Sequence, residues 1–462
     1  MAGPARTGQR SATAGPDTHT ADDRLAHIDQ AAFLQLRSTG PVKLVQTVWV
    51  YDNPVDMDML RRFHAGLGQG LLGRRIERSA LPFGRHRWVA AEPVPMHVAD
   101  RPRPLSDLSD WIDERSATPI DPEHGPGWHL AVQPFSDGST AVSLVASHCI
   151  TDGIGLLLAI ANAVSGTPRK LEYRQAGSRT RLQALRDDVR HTARDLPEVG
   201  RTLVAAAKLG LRRRGDLATT GASRPVLTEV GDDAETVVVP AITAFIDTAD
   251  WDARAEDLGG TTYSLLAGFA ARLAERVGRH RPDGGAVSLL IALSERTPDD
   301  TRGNAVSLAT VDVHPARVTK DLSDARAAIR QALTTLRAVP DETFALLPLT
   351  PFVPKRAVRK ASDVMFGDLP VSCSNMGDID PVVGRIDGTE CEFFTLRGVD
   401  QGLTPGALAK AGGQLVLTAV RLGTFISIGI VSYRPGGTNT KRHLRDLTAL
   451  TLAEFDLYGE II

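Results

Sequence analysis

Apolar and polar positions alternate between two regimes along this chain, and at one point the change is abrupt. The stretch "STAVSLVA" (139–146) is small or apolar throughout with no helical period, which predicts a strand buried on both faces. "IGLLLAIANAV" (154–164) is apolar at helical spacing and is opened by Asp152-Gly153, which predicts a buried helix. His148 therefore stands where a strand runs out, and Asp152 stands in the turn that starts a helix. Upstream, "RLAHIDQAAFLQL" reads as helix, "KLVQTVWVY" as strand and "DMDMLRRFHAGL" as amphipathic helix. "HRWVAAEPVPMHV" reads as extended and "LSDLSDWIDERSA" as a short helix. "GWHLAVQPF", the turn "SDG" and "STAVSLVAS" form a hairpin that delivers His148.

The pattern shifts at residues 169–216, an Arg-rich helical stretch broken by Pro197. Two readings fit it: a solvated crossover helix, or a basic amphipathic surface that touches anionic lipid or an acidic carrier protein. "GDLATTGASRPVLTEVGDDAE" then reads as a loop. A second α/β block follows in "TVVVPAITAFIDTADW", the helix "SLLAGFAARLAERVG" and the strand "AVSLLIALSER", with "FISIGIVSY" and a closing helix "TKRHLRDLTALTLAEFDLYGEI" further on. The halves share a strand–helix–strand rhythm, which predicts two similar α/β domains facing each other. The divisions fall at a tail (1–23), a first domain (24–168), a crossover with its loop (169–235) and a second domain (236–462).

Composition is consistent with this division. A chain of 462 residues with 42% hydrophobic content can bury two cores of ordinary size. A net charge of −2 gives no electrostatic reason to expect nucleic acid as partner. Cys149, Cys373 and Cys391 are too far apart for a disulfide framework or a zinc knuckle, and this usage fits a reducing, cytoplasmic compartment. The opening "MAGPARTGQRSATAGPDTHTADD" lacks the apolar core of a signal peptide and reads as a disordered tail. No apolar run reaches membrane-spanning length, which leaves peripheral membrane contact open.

Among motifs, "GQGLLG" (68–73) matches the dinucleotide pattern GxGxxG, but the segment before it is helical where that fingerprint needs a strand. Its glycines are expected to end a helix. No GxSxG elbow, HExxH pair or GxxxxGK[ST] loop occurs. Cys149 adjoins His148, but neighbours on a strand point to opposite faces, so the pair makes no thiolate–imidazole dyad and Cys149 reads as a small core residue. A metal on His148 and Asp152 would lack further ligands nearby, so no metal is expected. Two readings of His148 and Asp152 remain from the residues alone: a core histidine beside a helix cap, or a catalytic base beside a structural carboxylate.

The stretch "HCITDG" (148–153) resembles the HxxxDG signature of the chloramphenicol acetyltransferase-like superfamily, which includes peptide-synthetase condensation domains. The likeness extends furthest with the bacterial wax ester synthase/diacylglycerol acyltransferases. "IDQAAFLQLRSTGPVKLVQTVWVYDNPVDMDMLRRF" resembles their opening helix and first strand. "GPGWHLAV" lies where they carry a Pro-Leu-Trp segment. "ALSERTPDDTRGNAVSLATVDVHP" resembles their strand, Arg and Gly-Asn segment, and "SCSNMGD" their Ser-Asn turn.

The resemblance implies two such domains in a V-shaped pseudo-dimer, with an active-site tunnel between them. It implies an acyltransferase that moves an acyl group from a coenzyme A or carrier-protein thioester to an alcohol or amine, with no bound cofactor and no metal. His148 would be the base, a task suited to an imidazole. Asp152 would pair with Arg296, and Gly153 would give the backbone room in the turn. Ser147, Asn304, Ser374 and Asn375 would line the substrate tunnel.

Three departures stand out. Ser147-His148 replaces a double histidine, Tyr263-Ser264 replaces an Asn-Asp pair, and Pro126-Gly127-Trp128 replaces Pro-Leu-Trp. They bear on the neutral-lipid role more than on the fold, and a standalone acyltransferase of natural-product or lipid-conjugate assembly fits equally. Two rivals are a freestanding condensation enzyme that forms an amide on acyl or peptidyl carrier proteins, and a non-catalytic module that recruits a partner.

Overall fold

The computed structural model describes residues 23–216, 235–280, 285–297, 299–338, 344–352 and 371–462. The expected tail lies outside these residues except for Asp23, as does nearly all of the expected loop at 215–235.

Two sheets organise the molecule. The first has five strands in the order β11 (Phe393–Gln401), β1 (Val42–Tyr51), β6 (Thr140–Ser147), β5 (Trp128–Pro134) and β4 (Met96–Val98). The second has seven, in the order β14 (Glu460–Ile461), β7 (Ala241–Asp247), β13 (Phe425–Tyr433), β12 (Gln414–Leu422), β10 (Val371–Asp378), β8 (Val287–Ser294) and β9 (Val306–Val313). A ribbon of β2 (Arg74–Glu77) and β3 (Arg87–Ala90) stands apart. The helices in chain order are α1 (His27–Thr39), α2 (Met57–Leu67), α3 (Leu108–Ala117), α4 (Gly153–Val164) and α5 (Arg181–Asp216), then α6 (Thr248–Asp257), α7 (Thr262–Arg276), α8 (Ser323–Ala338), α9 (Pro405–Lys410) and α10 (Lys441–Ala453).

The expected hairpin is β5–β6, closed by Phe135 N–H donating to Ser139 O at 2.8 Å and turned by Gly138 at φ 95°. β6 is buried along its whole length because β1 and β5 flank it and both faces are covered, which is why its sequence shows no alternation. On one face, Trp49, Leu60, Phe63, Leu144, Leu156 and Ile160 form a core with Val383, Phe394 and Leu396 from the far end of the chain. In the second lobe, α7 buries Leu265, Leu266, Phe269 and Leu273 against Ile242, Leu289, Leu417 and Ile428 of the sheet.

β11 belongs by sequence to the second half of the chain but pairs with β1 from Val42↔Gln401 to Val50↔Phe393. The first lobe is thus completed by the second half. Where β11 crosses β13, Gly429 permits the approach: a Cβ there would fall 2.9 Å from Arg397 Cβ.

The GxGxxG segment follows helix α2 and leads into β2. Gly73 is needed because a Cβ there would lie 2.0 Å from Gly68 O, so these glycines fold a tight helix-to-strand turn. Two expectations are corrected. Helix α5 runs through Pro197 without a break, and the proline lies on its exposed side, where the lost N–H bond strands no buried group. "SCSNMGD" is not a turn but part of strand β10, irregular only between Asn375 and Asp378.

Candidate active site

His148 follows the last residue of β6, with its backbone N–H held by Lys43 O at 2.8 Å. The chain then turns through Cys149–Thr151 into α4. Residues 299–305, from the connection between β8 and β9 in the second lobe, reach across and pack on this turn. Asp152 N–H donates to Gly303 O at 2.8 Å, and Ala305 N–H donates to Asp152 Oδ2 at 2.8 Å.

Asp152 uses both carboxylate oxygens. Oδ1 accepts from Gly155 N–H at 2.6 Å, an N-cap for α4. Oδ2 accepts from Arg296 Nη2 at 2.8 Å, and the two side chains are 3% and 1% exposed. The cap and the ion pair expected as alternatives coexist on one carboxylate. Arg296 also donates to Arg302 O and Gly303 O, so its charge ties the crossing segment together as well.

Behind the histidine lies a second buried carboxylate. Asp29 of α1 is fully buried and accepts from Gly303 N at 2.8 Å, from Asn304 N at 2.7 Å and from Asn304 Nδ2 at 3.1 Å. Burial pushes its carboxyl above the usual range, while Arg74 and these donors pull the other way. Arg74 donates to Ile150 O at 2.9 Å and to Thr301 O at 2.5 Å, and its guanidinium sits 3.8 Å over the Trp88 ring. It clasps the turn after His148 to the segment from the second lobe.

Asn304 links Asp29 to the imidazole. Its Nδ2 also donates to His148 O at 3.0 Å, so the amide N–H₂ faces two acceptors and the amide oxygen faces the ring. His148 Nδ1 lies 2.8 Å from that oxygen and must carry the proton between them. Nε2 then holds the free lone pair, and among the described residues it has no hydrogen-bond partner. The half-buried ring is thereby held with Nδ1–H toward Asn304 and Nε2 unpartnered among the described residues.

The expected tunnel residues fall in different places. Ser147 is fully buried, its hydroxyl accepting from Cys149 N–H at 3.3 Å, so it lines no solvent-reached path. Asn304 is 4% exposed, and its amide is bonded to His148 and to Asp29. Ser374 and Asn375 lie half-buried on β10, and Asn375 Oδ1 accepts from Gly377 N–H. Neither hydrogen-bonds to His148 or Asp152. Their neighbour Met376 does reach the site, since a Cβ on Gly153 would lie 3.1 Å from its sulfur.

Gly153 is the first residue of α4, and a Cβ there would be tight only against this flexible side chain, with Leu396 Cδ2 at an ordinary 3.8 Å. Gly155 is the stricter position, because a Cβ there would fall 2.6 Å from Thr151 Oγ1 and 2.9 Å from Arg296 Nη2. Cys149 packs beside Leu25 and Phe33, and burial pushes its thiol up to about 12. It is an inert core residue. At the departures, Ser264 closes a capping box with Thr261, and Tyr263 Oη donates to Cys373 O at 3.3 Å. Gly127 is matched to Ile150, whose Cδ1 lies 2.2 Å from where a Cβ would be.

Sequence reading missed Asp29, Arg74 and the supporting role of Asn304. One signal was available for Asp29: with Phe33 and Leu36 it occupies positions i, i+4 and i+7, which puts a carboxylate on the apolar face of its helix.

No protein-family model matches the chain, and no curated protein matches it. Solved structures do. The first condensation domain of the CDA synthetase is 14% identical, with 96% of this chain and 99% of that chain covered and a TM-score of 0.56. The wax ester synthase/diacylglycerol acyltransferase from Marinobacter aquaeolei VT8 is 13% identical, with 94% and 98% covered and a TM-score of 0.55. The trichothecene 15-O-acetyltransferase from Fusarium sporotrichioides is 11% identical, with 94% of each chain covered and a TM-score of 0.58. The chain has the two-lobed chloramphenicol acetyltransferase-like fold.

Proposed function

We propose that this chain is an acyltransferase that moves an acyl group from a thioester to an alcohol or amine, with His148 as general base. The observation that carries the reading is the fixed tautomer. Asn304, itself held by Asp29, takes up the Nδ1 proton and leaves Nε2 unpartnered. Proteins with this fold include an O-acetyltransferase and a wax ester synthase/diacylglycerol acyltransferase, which supports acyl transfer as the reaction class.

In this mechanism Nε2 accepts the proton of the acceptor O–H or N–H as that atom bonds to the thioester carbonyl carbon. The C–S bond then breaks, and the leaving thiolate takes the proton back from the imidazolium. The amide oxygen of Asn304 stabilises the transient cation by accepting from Nδ1–H, and Asp29 keeps that amide from turning. Asp152 and Arg296 do no chemistry; they lock the second lobe's segment against the turn that carries His148. The donor is an acyl-CoA or an acylated carrier protein, used as co-substrate.

The test is to incubate the purified protein with mixed acyl thioesters and a panel of alcohols and amines, and to identify products by mass spectrometry. An ester assigns an O-acyltransferase and an amide a condensation-type enzyme. No product from any pair, with the protein folded, would overturn the reading.

A further inference from the structure

Helix α5 has 36 residues, a length of roughly 54 Å at 1.5 Å per residue. Its inward face is anchored by charge. Asp188 binds Arg87 at 2.6 Å and Arg179 at 3.2 Å, and Asp195 binds Arg24 at 3.1 Å. Val199 and Thr202 are buried on the same side.

The outward face has the opposite character. Leu182, Leu185, Val189, Leu196 and Leu203 are 80%, 43%, 50%, 54% and 55% exposed. At 100° per residue these five fall within about 60° of one another, a stripe roughly 32 Å long on an exposed flank of the helix beside its buried side. Arg186, Arg190, Arg194 and Arg201 flank it on one side and are all exposed. Among the described residues none of the four is in an ion pair. The helix thus turns Asp188 and Asp195 inward and, among the described residues, leaves these four arginines without a carboxylate partner beside an apolar line. Phe83 and Phe352, stacked at 6.2 Å and 50% and 40% exposed, belong to segments that touch this helix.

We infer that this face of α5 lies on an anionic membrane surface, with the stripe in the headgroup–acyl boundary and the arginine row on lipid phosphates. The composition is that of an in-plane amphipathic helix, aliphatic on one face and basic beside it. A second copy of the chain fits less well. Leu182, Val189, Leu196 and Leu203 repeat every seven residues, but of the intervening seam positions only Leu185 is exposed, Thr192 being half-buried and Val199 buried against the protein, so a two-position seam faces outward only at the start of the helix. A single line of side chains along one helix offers an acidic protein no pocket, whereas a bilayer surface can meet such a line along its length. This inference is independent of the reaction assigned to His148.

The test is co-sedimentation of the full chain with phosphatidylcholine vesicles, with and without one-third phosphatidylglycerol, at low salt and at high salt. Binding is expected only to the anionic vesicles and is expected to fall with salt. Arg186→Gln, Arg190→Gln and Arg194→Gln together should weaken it about 100-fold, at roughly fivefold per arginine. Val189→Glu with Leu196→Glu should abolish it. Melting temperature and turnover of soluble substrates should stay at the wild-type level in both variants. Three results would overturn the inference: no binding to anionic vesicles at low salt, binding that neither variant weakens, or a concentration-dependent dimer that Leu196→Glu dissolves. Capture of an acidic carrier protein without any vesicle binding would do so as well.

Discussion

The amide oxygen of Asn304 meets Nδ1 of His148 at 2.8 Å across 156 residues of sequence, and the same amide's nitrogen is held by Asp29. One lobe supplies the imidazole and the other supplies the group that decides which of its nitrogens is free. Asn304→Ala should lower kcat by roughly 10²-fold, the lower end of what a general base contributes, because the ring is kept but its tautomer and rotamer are released. The acceptor KM should change little. Asn304→Asp should be worse for the fold, since it sets a second carboxylate against Asp29 and against His148 O. Kinetics on the first and thermal melting of the second check this; unchanged kcat in Asn304→Ala would mean the ring needs no support.

The Asp152–Arg296 pair predicts a stability effect separable from chemistry. Removing one partner of a buried pair typically costs about 3–5 kcal/mol, and the lost helix cap adds about 1 kcal/mol. Asp152→Ala should therefore unfold at much lower denaturant. Asp152→Asn, which keeps an oxygen for Gly155 N–H, should recover the cap and not the ion pair. Equal stability of all three proteins would show that the pair holds nothing together.

Local features of this site were legible in the sequence because they depend on near neighbours. The β5–β6 hairpin, the end of α2 at Gly68 and the placing of His148 and Asp152 around one turn all follow from periodicity and capping. Arg296 was reached only through family likeness, since nothing in "ALSER" says which carboxylate it meets. The destination of β11 was invisible: whether Phe393–Gln401 joins the near sheet or the far one is decided by pairing with β1, over 340 residues away in sequence. The partners of Asn304 were hidden for a similar reason. A polar residue beside glycine reads as loop or lining until its partner Asp29, 275 residues distant, is seen.

Two histidines away from His148 predict how the fold responds to acid. Burial holds His86 and His129 down to about 4, from an ordinary value of 6.5. His86 Nδ1 accepts from Ser79 N–H, and His129 Nε2 bonds Arg115 O. Between pH 6.5 and 4 the unfolded chain takes up a proton at each position and the folded chain does not, so stability falls as pH drops through that window. Each site contributes on the order of 3 kcal/mol at the acid end. Urea unfolding from pH 7 to 4 should show the decline, and His129→Gln should flatten it. Parallel wild-type and variant curves would remove this histidine from the acid response.

The last prediction separates a working imidazole from a structural one. His148 is half-buried and gives one side-chain hydrogen bond, to Asn304, so His148→Ala leaves one amide oxygen unsatisfied, at a cost of about 1–3 kcal/mol. Asp152, Arg296, Asp29 and Arg74 keep their own contacts, and the variant should stay folded. His148→Gln restores a donor toward Asn304 and should recover most of the stability without supplying a base. If Nε2 takes the acceptor's proton, both variants should lose turnover by about 10²–10⁴-fold. Thioester binding should persist in both. The decisive comparison is His148→Gln with an accepted substrate pair, measured for melting temperature and turnover together. Wild-type turnover in that folded protein would remove His148 from the chemistry and leave Asn304 and Asp29 as a buried polar network that only holds two lobes together.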